Sequence, residues 1–156
     1  MDRERFTAAL GWIFENSPWV AERSWAQRPF AGVAALHQAM VSHVARADAE
    51  TQIALIRAHP DLGTRARMSD VSVGEQAGAG LDRLTPAEFE DLQRLNAAYR
   101  EKFGFPFIYA VKGSTKHDIL RALEGRLAGD PPAEQATALA QIYRIAQSRL
   151  EDTIHA

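Results

Sequence analysis

Apolar residues in this chain recur at intervals of three and four almost from end to end, and no stretch of convincing length alternates apolar with polar. A chain patterned this way buries its apolar side chains as stripes on helices packed together, so an all-α fold is expected. Phe6, Leu10, Ile13 and Phe14 mark one face of a first helix. Ser17-Pro18 reads as the cap and first-turn proline of a short second helix, which Arg28-Pro29 ends. Val33, Leu36, Met40 and Val44 space a third helix, and Asp48 caps a fourth that carries Ile53 and Ile56 toward His59. Thr85-Pro86-Ala87-Glu88 combines a capping threonine, a proline at the first helical position and a glutamate at N3. The helix it opens runs through Phe89, Leu92, Leu95, Asn96 and Tyr99 to Phe103-Gly104. Ser114 starts another through Ile119, Leu120 and Leu123, and Asp130-Pro131-Pro132 opens the last, with Leu139, Ile142, Ile145 and Ala146 facing inward. FIYAV at 107–111 is the one strand-like run, and it is short enough to be an extended or tightly turned link.

With 156 residues and no internal repeat or linker, the expectation is one compact bundle of about seven to eight helices spanning 1–156. A hydrophobic content of 46% with 24% charged residues fits a globular protein, and no apolar run has the length a membrane crossing needs. The opening MDRERFTAALGWIF lacks the uninterrupted apolar stretch of a secretory signal, and EDTIHA matches no lipidation or organelle-address motif, so the cytoplasm is the expected compartment. The net charge of -2, with both signs interspersed, provides no basic stripe for phosphate backbones, and nucleic acid is not an expected partner. Because cysteine is absent, disulfides, thiolate metal sites and thiol nucleophiles are excluded. Histidine, carboxylates and arginine are left to do any chemistry. His37, His43, His117 and His155 do not fall at metal-ligand spacings, and no metal is expected.

Two irregular stretches, about 60–71 and 103–113, are where a site is expected. His59 stands before a proline, which pushes it out of the α region, so the fourth helix should end there with the imidazole projecting at its terminus. A helix C-terminus favours the imidazolium. Two readings are open: a charge-bearing functional group, or a histidine that merely caps the last carbonyls while Asp61 and Gly63 form a turn. Glu75 lies in Ser72-Val73-Gly74-Glu75-Gln76, which has the form of a capping box. That box would open a short helix interrupted by glycines, a poor source of stability, whose free amides also suit an anionic substrate. Arg149 follows Ile145 by four positions and Ile142 by seven, so it leaves the backbone on the core stripe. There it either snorkels to the surface or meets an anion. Arg144 lies off that stripe and reads as a solvated charge. FGFPF at 103–107 is either aromatic packing around a corner or an apolar wall suited to a flat heterocycle.

Taken in order, SPWVAERSWAQRPF, LIRAHPDLG, SVGEQAGAGLDRL, LNAAYREKFGFPFIYAVKG and QIYRIAQSRL resemble the 2-oxo-4-hydroxy-4-carboxy-5-ureidoimidazoline (OHCU) decarboxylase family of urate degradation, from about Ser17 to Leu150. The resemblance implies an all-α, cofactor-free enzyme that converts OHCU stereospecifically to (S)-allantoin and carbon dioxide. It maps the family's catalytic histidine onto His59 in HPDLG, its glutamate onto Glu75 in S-x-x-E-Q, and its substrate-binding arginine onto Arg149 in IAxxRL. Pro60, Ser72, Gln76, Phe107 and Ile108 match positions that line the family's pocket. Members are often homodimers, and the absence of a peroxisomal end signal points to a bacterial-type cytoplasmic enzyme. Two other readings compete: a non-catalytic helical module that binds a purine-derived ligand or a partner helix, and a metal-dependent helical hydrolase. The scattered placement of histidines and carboxylates speaks against the hydrolase.

Overall fold

The computed structural model describes residues 2–63 and 70–154, the side chains of 70–72 excepted. The described residues contain eight α-helices, one 3-10 turn and no strand, as the helical periodicity predicts. They divide into two compact units, one made of residues 1–58 with 142–156 and the other of residues 59–141.

The first unit holds α1 (Arg3–Leu10), α2 (Trp19–Ser24), the 3-10 turn (Trp25–Gln27), α3 (Val33–Ala45), α4 (Ala49–Arg57) and the C-terminal part of α8 (Pro131–Thr153). Helix α2 packs on both α1 and α3. The Asp2 and Asp48 carboxylates cap α1 and α4 by accepting from the amides of Arg5 and Thr51, at 2.8 and 2.7 Å. Helix α1 is shorter than its apolar pattern. It stops at Gly11, where a Cβ would stand 2.5 Å from the Thr7 carbonyl oxygen. Ile13 and Phe14 lie beyond the helix and are buried all the same, so the pattern located core residues but not the helix end. Ser17 does not cap α2 through its side chain; its hydroxyl donates back to the Glu15 carbonyl at 2.9 Å.

The second unit holds α5 (Asp70–Gly78), α6 (Pro86–Phe103), α7 (Lys116–Leu127) and the N-terminal part of α8, with α6 packed on α7. Leu92, Ile119 and Leu123 are fully buried, each worth about 1.5–3 kcal/mol relative to exposure. Helix α6 opens with the reciprocal Thr85–Glu88 box and closes on Gly104, whose φ of 79° is the left-handed conformation that glycine adopts without strain. Helix α7 is capped by Thr115 with Asp118, one residue later than expected. Ser114 instead places its hydroxyl 3.2 Å from that of Tyr109. FIYAV is an extended link and pairs with no strand among the described residues.

Glu88 ties the start of α6 to α7, because its carboxylate also accepts from Lys116 Nζ at 2.6 Å. That bond, followed by the one from the Thr85 amide, lowers the Glu88 carboxyl from 4.5 to about 2. A folded-state value below the unfolded one means that the stabilisation is present above pH 4.5 and is lost as pH falls toward about 2. The Tm difference between the protein and Glu88→Gln should therefore be flat above that window and narrow through it. Thermal melts stepped from about pH 6 to about pH 2 check this.

Candidate active site

The strongest site candidate in the second unit begins where α4 hands over to the HPDLG turn. Ala58 caps α4, and His59 follows at 7% exposure. The sequence placed its imidazole at a helix end, which holds, but the ring is buried. Each of the next three residues after Pro60 is held by a partner from α5 or α6. Arg100 Nε donates to the two Asp61 oxygens at 3.1 and 3.2 Å, and Asn96 Nδ2 donates to the Leu62 carbonyl at 3.0 Å. The Gly63 amide donates to Gln76 Oε1 at 2.8 Å. Gly63 has a φ of 69°, and a Cβ there would meet Leu92 Cδ2 at 2.4 Å, so glycine alone fits. The imidazole of His59 thus sits at the head of a turn whose backbone is fixed on both its donor and acceptor sides.

Helix α5 carries Ser72, Glu75 and Gln76. Ser72 is its third described residue and not its N-cap, which is not the place that the form of a capping box gives it. The helix reaches back at least to Asp70, and a cap is defined by where a helix starts, which S-x-x-E by itself does not decide. The Ser72 side chain and the loop at 64–69 lie outside the described residues. Gln76 is buried, and its contact with Gly63 brings α5 to the turn; Glu75, its neighbour in the chain, is half-buried.

Phe107 and Ile108 are buried in the link between α6 and α7. Phe107 packs edge-on to Tyr99, centroids 5.5 Å apart, and stacks with Tyr109 at 5.9 Å. Both of the earlier readings of FGFPF require such packing.

Arg149 belongs to the first unit. Of the two outcomes weighed for it, the guanidinium meets an anion. At 3% side-chain exposure its NH2 donates to Glu15, itself 2% exposed, at 3.1 Å. Its NH1 donates to the Ile13 carbonyl at 3.1 Å and to that of Trp12 at 3.4 Å. Arg144 is exposed, as its place off the stripe predicts. His37 is bonded to the Tyr143 carbonyl and His43 to Gln27; His155 lies outside the described residues. No group of three or more His, Asp or Glu side chains among the described residues is placed to hold a metal.

Comparison with known proteins decides the family, because the model of the OHCU decarboxylases matches residues 1–151. The chain belongs to the OHCU decarboxylase family. A 2-oxo-4-hydroxy-4-carboxy-5-ureidoimidazoline decarboxylase of Halalkalicoccus jeotgali is 50% identical over 97% of this chain and 86% of its own length. The uric acid degradation bifunctional protein PucL of Bacillus subtilis is 52% identical over 99% of this chain, which spans 31% of that protein. Among solved structures, an (S)-allantoin synthase superposes with a TM-score of 0.78 at 35% identity, covering 99% of this chain and 51% of that one. An OHCU decarboxylase crystallised in the presence of (S)-allantoin superposes with a TM-score of 0.75 at 20% identity over 97% of both chains, a likeness of fold. OHCU decarboxylase membership thus agrees with the resemblance in HPDLG, S-x-x-E-Q and FGFPFI.

Proposed function

We propose that this chain is a cofactor-free OHCU decarboxylase of urate degradation that yields (S)-allantoin and carbon dioxide. Near full-length identity of about one half to a curated decarboxylase carries this reading. His59 and Glu75 stand in the matching motifs. Loss of carbon dioxide from a carbon that bears a hydroxyl leaves an electron pair, and the C=N and carbonyl groups of the substrate ring accept it. The protein accelerates this step only by favouring the charge-shifted transition state over the ground state. A guanidinium clamped on the departing carboxylate would oppose that. Arg149 and backbone amides are therefore assigned to ring or ureido oxygens, where negative charge accumulates. His59 acts as general acid and base near the 4-hydroxyl, and Glu75 orients the imidazole or the substrate. Pro60, Ser72, Gln76, Phe107 and Ile108 complete the lining. Delivery of the final proton to one face of the ring makes the product a single enantiomer.

The same reading makes residues 1–156 one decarboxylase domain that acts in the cytoplasm as a homodimer. Among the described residues, no helix is long and apolar enough to cross a membrane. Sedimentation tests the dimer. For the activity, freshly generated OHCU is followed by circular dichroism with a chelator present. The expected result is rapid appearance of one allantoin enantiomer. Decay no faster than in buffer, or a racemic product, defeats the reading and leaves a ligand-binding helical module.

A further inference from the structure

The link at 106–111 has no regular secondary structure, so its backbone polar groups need partners from elsewhere. The Ala110 amide donates to Gln141 Oε1 at 2.9 Å, and the Ile108 carbonyl accepts from NH1 of Arg126 at the end of α7. The same guanidinium covers the Phe107 ring, its carbon 4.4 Å from the centroid. It is itself held by Glu134 in the first turn of α8, whose Oε1 accepts from Arg126 Nε at 2.5 Å and from the Tyr99 hydroxyl at 2.6 Å. Side-chain exposures of 15% for Arg126 and 6% for Glu134 make this a nearly buried ion pair. Burial, together with Glu134, pushes the Tyr99 phenol upward, so its hydroxyl stays a donor.

Stability alone explains such a cluster poorly, since a buried ion pair is often replaceable by apolar side chains at no cost. Apolar side chains cannot fix the plane of a peptide. A planar guanidinium with one edge on Glu134 and another on the Ile108 carbonyl sets that peptide's orientation and, by stacking, the tilt of Phe107. We propose that Arg126, locked by Glu134 and Tyr99, is a positioning residue that fixes Phe107 and Ile108 as the ligand-facing wall. This rests on the proposed function, which gives those two residues their place in the lining. Lysine retains the charge but not the fork, so it cannot hold Glu134 and Ile108 in one plane.

The test compares steady-state kinetics on fresh OHCU for Arg126→Lys, Tyr99→Phe and Leu123→Ala, well below the lowest Tm of the set. Leu123 is fully buried on α7 and serves as a control for lost stability alone. Arg126→Lys is expected to raise KM about tenfold with kcat within about threefold, the scale of one lost contact to a bound ligand. Tyr99→Phe leaves the guanidinium on Ile108 but loosens its anchor, and KM should rise about twofold to threefold. Leu123→Ala should lower Tm without moving KM. If Arg126→Lys does not fold, Tyr99→Phe decides the matter. Wild-type KM in every folded variant of the cluster, or an equal rise in Leu123→Ala, overturns the positioning role. With a wild-type enzyme that turns OHCU over and a His59→Asn variant that does not, such a result leaves the proposed function standing. A wild-type protein without turnover removes both.

Discussion

Replacement of His59 by asparagine is expected to lower turnover of OHCU by roughly 10²- to 10⁴-fold, the usual contribution of a positioned general acid or base. At 1.36 kcal/mol per tenfold this is about 3–5 kcal/mol of transition-state stabilisation. The turn that carries His59 is held through Asp61, Leu62 and Gly63 by Arg100, Asn96 and Gln76, and none of those bonds uses the imidazole. The fold should therefore survive the change. Its cost follows from burial, because asparagine fills less of the space that a ring at 7% exposure occupies. A loss of about 1–2 kcal/mol, seen as a Tm lower by a few degrees, is the expected structural effect. Turnover is measured at a temperature where melting shows both proteins fully folded. Activity retained within about tenfold would remove His59 from the proton chemistry.

That His59 lies at a helix end was legible because proline restricts the residue before it, a local effect. The caps at Asp48 and Thr85 were legible for the same reason, their chemistry being complete within four residues. Ser72 shows the limit. Its spacing to Glu75 fits a box, but helix α5 includes residues before it. Ile13 and Phe14 show the converse, since burial followed the apolar period after the helix had ended at Gly11. The clamps on the HPDLG turn were not legible. Asn96 and Arg100 are four apart and so share a face of α6, but their use depends on a turn 34 and 39 positions upstream. Arg126 and Glu134 carry no local signal either, because the Tyr99 hydroxyl and the Ile108 carbonyl that they hold lie 18 to 35 positions away. In Arg149 the stripe placed the side chain on the core face but left snorkelling and an anion both open, because the partner that decides it, Glu15, stands 134 positions away.

Replacing Arg149 by methionine is expected to cost about 3–5 kcal/mol, because it leaves the Glu15 carboxylate charged and buried without its guanidinium. For a chain of this size the loss corresponds to a Tm lower by roughly 6–20 °C. Replacing both residues, as Glu15→Leu with Arg149→Met, removes the charge as well as its partner and should restore roughly half of that loss. Recovery stays partial because the buried Ile13 carbonyl also loses a donor, at a cost of about 1–3 kcal/mol. The double variant separates the two roles open to Arg149. If its guanidinium meets substrate oxygens, turnover stays low although stability has returned, since an apolar side chain supplies no charge to the transition state. Recovery of turnover along with Tm would make Arg149 a support for the Trp12–Glu15 segment alone, and the charge arriving on the substrate ring would then have to be met by other donors.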